Sequence, residues 1–210
     1  MVPFKTIARA SEEEFVINRS RFIGRCFPVS TEEEALAHLA AIRKQHYDAR
    51  HNCYAYRIGP RGETARFSDD GEPSGTAGMP MMEVLTARDV TDVLCVVTRY
   101  FGGILLGAGG LVRAYSRGAA DAVRAAGVMR HIPGTALELT VDYGRYGAIE
   151  AYVRANAQVD ALDFAENVHI RALVEDGFAD AFCKEIVERT DGRVTPARCG
   201  EGYLLRPEDM

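Results

Sequence analysis

The 210-residue chain is 47% hydrophobic and 26% charged, ordinary for a folded globular protein and long enough for one large or two small domains. No apolar run approaches the ~20 residues that span a bilayer. The N-terminal MVPFKTIARASEEEF lacks the apolar centre of a signal peptide, and five cysteines without CxxC spacing exclude a zinc ribbon or a disulfide framework, so a cytoplasmic protein with no membrane association is expected. The net charge of −5 is uneven: residues 1–130 hold 17 Lys+Arg against 15 Asp+Glu, and the remainder 8 against 15. Those values disfavour a protein that coats nucleic acid along its length, yet allow a local basic patch in the first part.

In chain order, residues 14–29 interleave apolar and polar side chains, which predicts two short strands bent near Asn18–Arg21. Arginines 19, 21 and 25 read as a solvated strand face. Ser30 to Glu34 has capping-box spacing, and Leu36, Leu39 and Ile42 carry a helix to about His46. Residues 50–58 and Thr64–Phe67 form a predicted hairpin around Gly59–Gly62. His51 and Cys53 share one face of its first strand, where a structural pair is preferred to a catalytic dyad.

The segment Ser68–Pro80 holds Asp69, Asp70 and Glu72 among glycines and prolines. It reads as an ordered loop whose aspartates cap backbone N–H groups, in preference to a hard-metal site, because nothing nearby adds oxygen ligands. Ser74, Gly75 and Thr76 open onto a predicted short helix over Met79–Thr86. Val93–Thr98 is apolar on both faces and is expected to be a central strand. After it comes RYFGGILLGAGGLVRAY, Arg99 to Tyr115, with Gly102, Gly103, Gly107, Gly109 and Gly110 leading into a helix from Gly109 to Gly127. A strand, a glycine loop and a helix start can hold an anion on bare backbone N–H groups, with Arg113 in about the first turn and Arg117 four residues on. The glycines can equally serve close helix–strand packing. The segment is neither a Walker A motif nor a dinucleotide fingerprint.

His131–Gly134 reads as a linker. Beyond it, strand Ala136–Asp142, helix Tyr143–Ala157, strands Gln158–Phe164 and Val168–Val174, helix Gly177–Thr190 and a last strand to Leu205 give the order βαββαβ of a ferredoxin-like sandwich. The expected fold class is therefore α+β, with domains at 1–130 and 131–210.

Five segments, Arg21–Gly24, His51–Ala55, Arg66–Gly78, Thr98–Gly103 and Leu106–Tyr115, resemble the IMPACT/YigZ family without departure. The resemblance implies an N-terminal α/β domain of the type found in a small ribosomal-subunit protein and in domain IV of translocase elongation factors. It implies a C-terminal domain like domain V of those factors. Eukaryotic relatives act in translational control by competing for a partner of a stress kinase. Some bacterial relatives carry a proline dipeptidase label, which the absence of an evident His, Asp and Glu ligand set disfavours here.

The expectation is a non-enzymatic protein linked to translation, with RNA or the ribosome as partner and no cofactor, metal or catalytic residues. Arg99, Arg113, Arg117 and the loop glycines Gly102, Gly103, Gly107, Gly109 and Gly110 would meet phosphates, while Tyr100, Phe101 and Tyr115 would stack on bases or simply pack. His51, Asp69, Asp70, Glu72, Ser74, Gly75 and Thr76 form a companion loop, and the acidic second domain suits a protein partner. The alternatives are an enzyme acting on a small phosphorylated or carboxylated substrate, and a pure protein-interaction module.

Overall fold

The computed structural model describes residues 1–208, which divide into two compact units. One comprises Phe4–Arg130 with the segment from Pro207, and the other Met1–Pro3 with His131–Arg206. Among the described residues no helix is long and apolar enough to cross a membrane.

The first unit begins with a short strand, β1 (Phe4–Ile7), which lies beside Thr91, whose N–H donates to Lys5 O at 2.8 Å. Its sheet holds β2 (Ser11–Ile17), β3 (Ser20–Pro28), β4 (His51–Ile58), β5 (Thr64–Ser68) and β6 (Val93–Tyr100), in the order β2-β3-β6-β4-β5. Every neighbouring pair is antiparallel. Asn18 and Arg19 make the β2–β3 turn, both at positive φ, as a two-residue hairpin that follows the twist of its strands requires. The central strand is β6, buried from Val93 to Arg99.

Strand alternation decides what each face covers. Val93, Cys95 and Val97 pack with α2 (Gly78–Ala87) and α3 (Gly107–Ala126). Leu94 and Val96 pack with α1 (Glu32–Gln45) through Ala35, Leu39 and Ile42. Helix α1 has the expected box: Thr31 Oγ1 accepts from Glu34 N, and Glu34 accepts from Ser30 N. The α1 face also overturns one expectation. Arg25 is not a solvated strand residue but is buried, because it points with Val96 toward α1. There it donates to Glu12, to Thr98 Oγ1 and to His46 Nε2, the last at 2.7 Å. Burial, reinforced by the nearby Arg25 charge, holds the His46 imidazole below the usual histidine range.

The second unit contains most of β7 (Val128–Val141), then α4 (Tyr143–Asn156), β8 (Gln158–Phe164), β9 (Val168–Glu175), α5 (Ala179–Arg189) and β10 (Ala197–Pro207). β9 lies antiparallel between β7 and β8, and β10 pairs with β7. Leu137, Leu139, Ile149, Val153, Ile170, Phe182 and Ile186 form its core. His131–Gly134 is strand and not loop, since it lies inside β7, although the chain passes from one unit to the other at its start. Gly134 is present for close approach: a Cβ there would lie 2.9 Å from Val174 O and 2.6 Å from Leu204 Cδ1. The chain as a whole is α+β.

Candidate functional site

In the first unit a cleft of about 450 Å³ opens on the α2/α3 face of the sheet. Three segments wall it: Arg50–His51 at the start of β4, Gly71–Pro73, and Arg99–Leu111 around the glycine loop.

The 69–78 loop is wound around Asp69. Its Oδ1 accepts from Ala77 N and Gly78 N, and its Oδ2 from Gly75 N, at 2.8–3.0 Å. These are orphan donors at the start of α2, whose N-cap Ala77 has no side chain to serve them. Burial raises the Asp69 pKa, but the three N–H groups together outweigh it and hold the carboxyl below its ordinary value. Asp70 accepts from Asn52 N through Oδ2 and pairs with Arg43 through Oδ1. Thr76 donates to Pro73 O, while Ser74 is exposed. His51 Nδ1 donates to Asp70 O and Cys53 Sγ to Asp69 O, so that pair fastens the loop to β4. Burial pushes the Cys53 thiol far above the usual range, which leaves it un-ionised and inert.

The loop delivers Glu72 into the protein. Its Oε1 takes Arg99 Nη1 and the Tyr115 hydroxyl, each at 2.7 Å, and lies 3.9 Å from His51 Nε2. The Glu72 and Arg99 side chains are only 3% and 5% exposed. The Arg99 guanidinium sits 5.4 Å from each of the rings of Phe22 and Phe101, and its buried Nε has no hydrogen-bond partner among the described residues. Burial pushes the Tyr115 hydroxyl pKa upward, so it remains a donor.

The glycines divide by task. Gly102 is a packing glycine: a Cβ would lie 2.5 Å from Ser20 N. Gly103 and Gly107 adopt φ of +83° and +70° with open space around them. Gly109 has no crowding neighbour, since the nearest atom to its would-be Cβ is Arg113 Nη1 at 3.6 Å. A helical glycine that packing does not require is about 1 kcal/mol less favourable than alanine, and it keeps the helix start bare. Gly110 would meet Leu106 Cβ at 3.0 Å. Helix α3 has no side-chain N-cap, so its first N–H groups are left to the solvent side.

The predicted residues are thus only partly gathered. His51, Glu72, Arg99 and Gly107 line the cleft. Two expected phosphate or base contacts need correction. Arg99 is buried and neutralised by Glu72. Tyr100, one residue on along β6, faces the opposite side, where its hydroxyl accepts from His46 Nδ1 and donates to Asp48. Arg117 stays exposed on α3, where it pairs with Asp121 and lies 4.3 Å from the ring of Phe15. Arg113 sits seven residues into α3 because the helix starts at Gly107 and not at Gly109. Its side chain still reaches the helix start, since helical side chains lean toward the N-terminus. Phe101, expected to stack or pack, also walls the cleft, as do Arg50 and Leu105, which were absent from the expected set. The adjacency of Arg50 to His51 was the available signal.

Comparison with known proteins places this geometry. A model described as the Impact N-terminal domain matches residues 18–123, and one for a domain of unknown function matches residues 139–193. The IMPACT family member YvyE of Bacillus subtilis is 43% identical over 90% of this chain and 87% of its own. The chain belongs to the IMPACT family. YigZ of Escherichia coli, another family member, is 36% identical over 84% of this chain and 88% of its own. A Saccharomyces cerevisiae IMPACT homolog is 34% identical over 42% of this chain and 35% of its own. A crystal structure described as that of a hypothetical protein superposes with a TM-score of 0.61 at 33% identity, covering 95% of this chain and 98% of the other. The cleft walls fall within the Impact N-terminal domain match.

Proposed function

We propose that this IMPACT family member is a non-enzymatic, cytoplasmic protein of translation control, which binds RNA or the ribosome through the glycine-rich start of α3. One observation carries the reading. Arg113 is exposed, pairs with no acidic side chain among the described residues, and lies against the uncapped, glycine-bare first turn of a 20-residue helix. Backbone donors, the helix dipole and a free guanidinium there converge on one anion position. The exposed ring of Phe101 supplies a surface on which a base can stack.

We further propose domains at 1–130 and 131–210. The first resembles the ribosomal-protein and elongation-factor domain IV type, and the second is a ferredoxin-like sandwich. The observed strand–helix sequence from β7 to β10, with β9 between β7 and β8 and β10 beside β7, supports the latter. Its excess of acidic residues suits a protein partner rather than RNA.

Filter binding of a fluorescent single-stranded RNA over a salt series tests this reading. Binding is expected at low salt, with log K falling linearly against log salt, and Arg113→Glu is expected to weaken it about tenfold or more. No binding at low salt would remove the RNA reading. Enzymatic action on a small anionic substrate is the second reading, favoured by His51 Nε2 lying 3.9 Å from Glu72. Turnover of a phosphorylated or carboxylated compound, lost in His51→Ala, would establish it.

A further inference from the structure

The cleft holds more chemistry than an anion site needs. All contacts to Glu72 fall on Oε1. Oε2 takes no hydrogen bond from any described residue, yet it is not sealed off. It therefore opens where Glu72 lines the cleft, as a rigid acceptor whose charge is balanced by Arg99. An acceptor so placed suits a hydroxyl donor and repels phosphate. The same cleft has an apolar wall of Phe101, Leu105, Leu106 and Leu111, of which Leu105 is 84% exposed and Phe101 38%. At its third side lie Gly107 and Ala108, the first residues of α3, with uncapped N–H groups.

Hydroxyl acceptor, apolar wall and anion-binding helix start are the three complements of a ribose, a base and a phosphate. A volume of about 450 Å³ lies in the range that accommodates one nucleotide-sized ligand. We propose that the cleft is a ribonucleotide site, in which one residue of a bound RNA places its phosphate at the α3 N-terminus, its base against Phe101 and Leu105, and its 2′-hydroxyl on Glu72 Oε2. The proposal rests on the RNA reading above and adds to it a sugar-specific contact. The 2′-hydroxyl is the group by which RNA is told from DNA.

The test is fluorescence polarisation of the full chain with a labelled oligouridine ten nucleotides long, its deoxy counterpart and its 2′-O-methyl counterpart. Loss of one hydrogen bond to a buried carboxylate predicts a preference for the ribo form of about tenfold over both. Ala108→Glu places a carboxylate at the exposed first turn of α3, where it suits the helix dipole and leaves the fold intact. It is expected to lower oligouridine affinity about tenfold or more and to leave the melting temperature at or slightly above that of the unsubstituted chain. Uridine 5′-monophosphate as competitor separates the sources. Displacement only at far higher concentration than unlabelled oligomer supports an RNA residue in the cleft, whereas displacement at equal concentration overturns it in favour of a free nucleotide. Equal affinity for the ribo and deoxy oligomers would overturn the ribonucleotide site and leave the RNA reading standing, whereas undiminished binding by the Ala108→Glu chain would overturn both the ribonucleotide site and the α3 start as the RNA-binding surface. Absence of any oligouridine binding at low salt would overturn both.

Discussion

Glu72→Ala is expected to destabilise the first unit by about 3–5 kcal/mol, read as a lower midpoint in urea unfolding followed by circular dichroism. The reason is what the substitution leaves behind. Arg99 is 4% exposed, its Nη1 donates to Glu72, and its Nε already lacks a partner. Without the carboxylate, a guanidinium would stay buried with only Ser20 Oγ at 3.4 Å and two aromatic rings to compensate it. Tyr115, also fully buried, would lose its acceptor. Breaking a buried pair costs much more than removing both members. The double variant Glu72→Leu, Arg99→Met should therefore recover most of the loss. A single substitution costing less than about 1 kcal/mol would show that Arg99 is solvated and that the cleft floor is not as described.

Gly24→Ala is expected to cost about 3 kcal/mol, at the high end for overpacking a core. A Cβ at Gly24, on β3, would lie 2.9 Å from the carbonyl carbon of Gly118 on α3 and closer still to its oxygen. Both partners are backbone, so neither can turn aside. The helix would have to lift from the sheet, carrying Tyr115 away from Glu72 and the α3 start away from Pro73. Gly118→Ala provides the graded comparison. Its nearest neighbour is the Val97 side chain at 3.1 Å, a contact that can yield by a few tenths of an ångström, and about 1 kcal/mol is expected. Equal losses in the two variants would contradict a backbone-on-backbone contact as the tighter constraint.

These two sites mark the boundary of what was legible in the chain. β6 was readable because an unbroken apolar run has one comfortable place in a sheet, and α3 because Leu111, Tyr115, Ala119 and Ala122 keep one helical face. The Asp69 turn chemistry was readable from aspartate beside glycine and proline. The buried arginines were not. A charged residue carries the same letter whether it is solvated or paired across 27 residues, and pairing is a property of the fold. Arg25 and Arg99 therefore both read from sequence as surface residues. Tyr100 was misplaced for a related reason: the signature Arg99-Tyr100 reads as one feature in sequence, whereas strand alternation sends its two side chains to opposite layers. His131–Gly134 is continuous strand at the passage between the units because its glycine answers to Leu204, some 70 residues away in sequence, and not to a turn.

The cleft is a binding site only if RNA lies in it. That placement is tested most directly by amide hydrogen exchange of the full chain, alone and with saturating oligouridine. Slowed exchange at residues 71–73 and 99–111 is the predicted result, with the first turn of α3 most affected. Binding accompanied by protection only within residues 131–206, with the cleft walls unchanged, would contradict it.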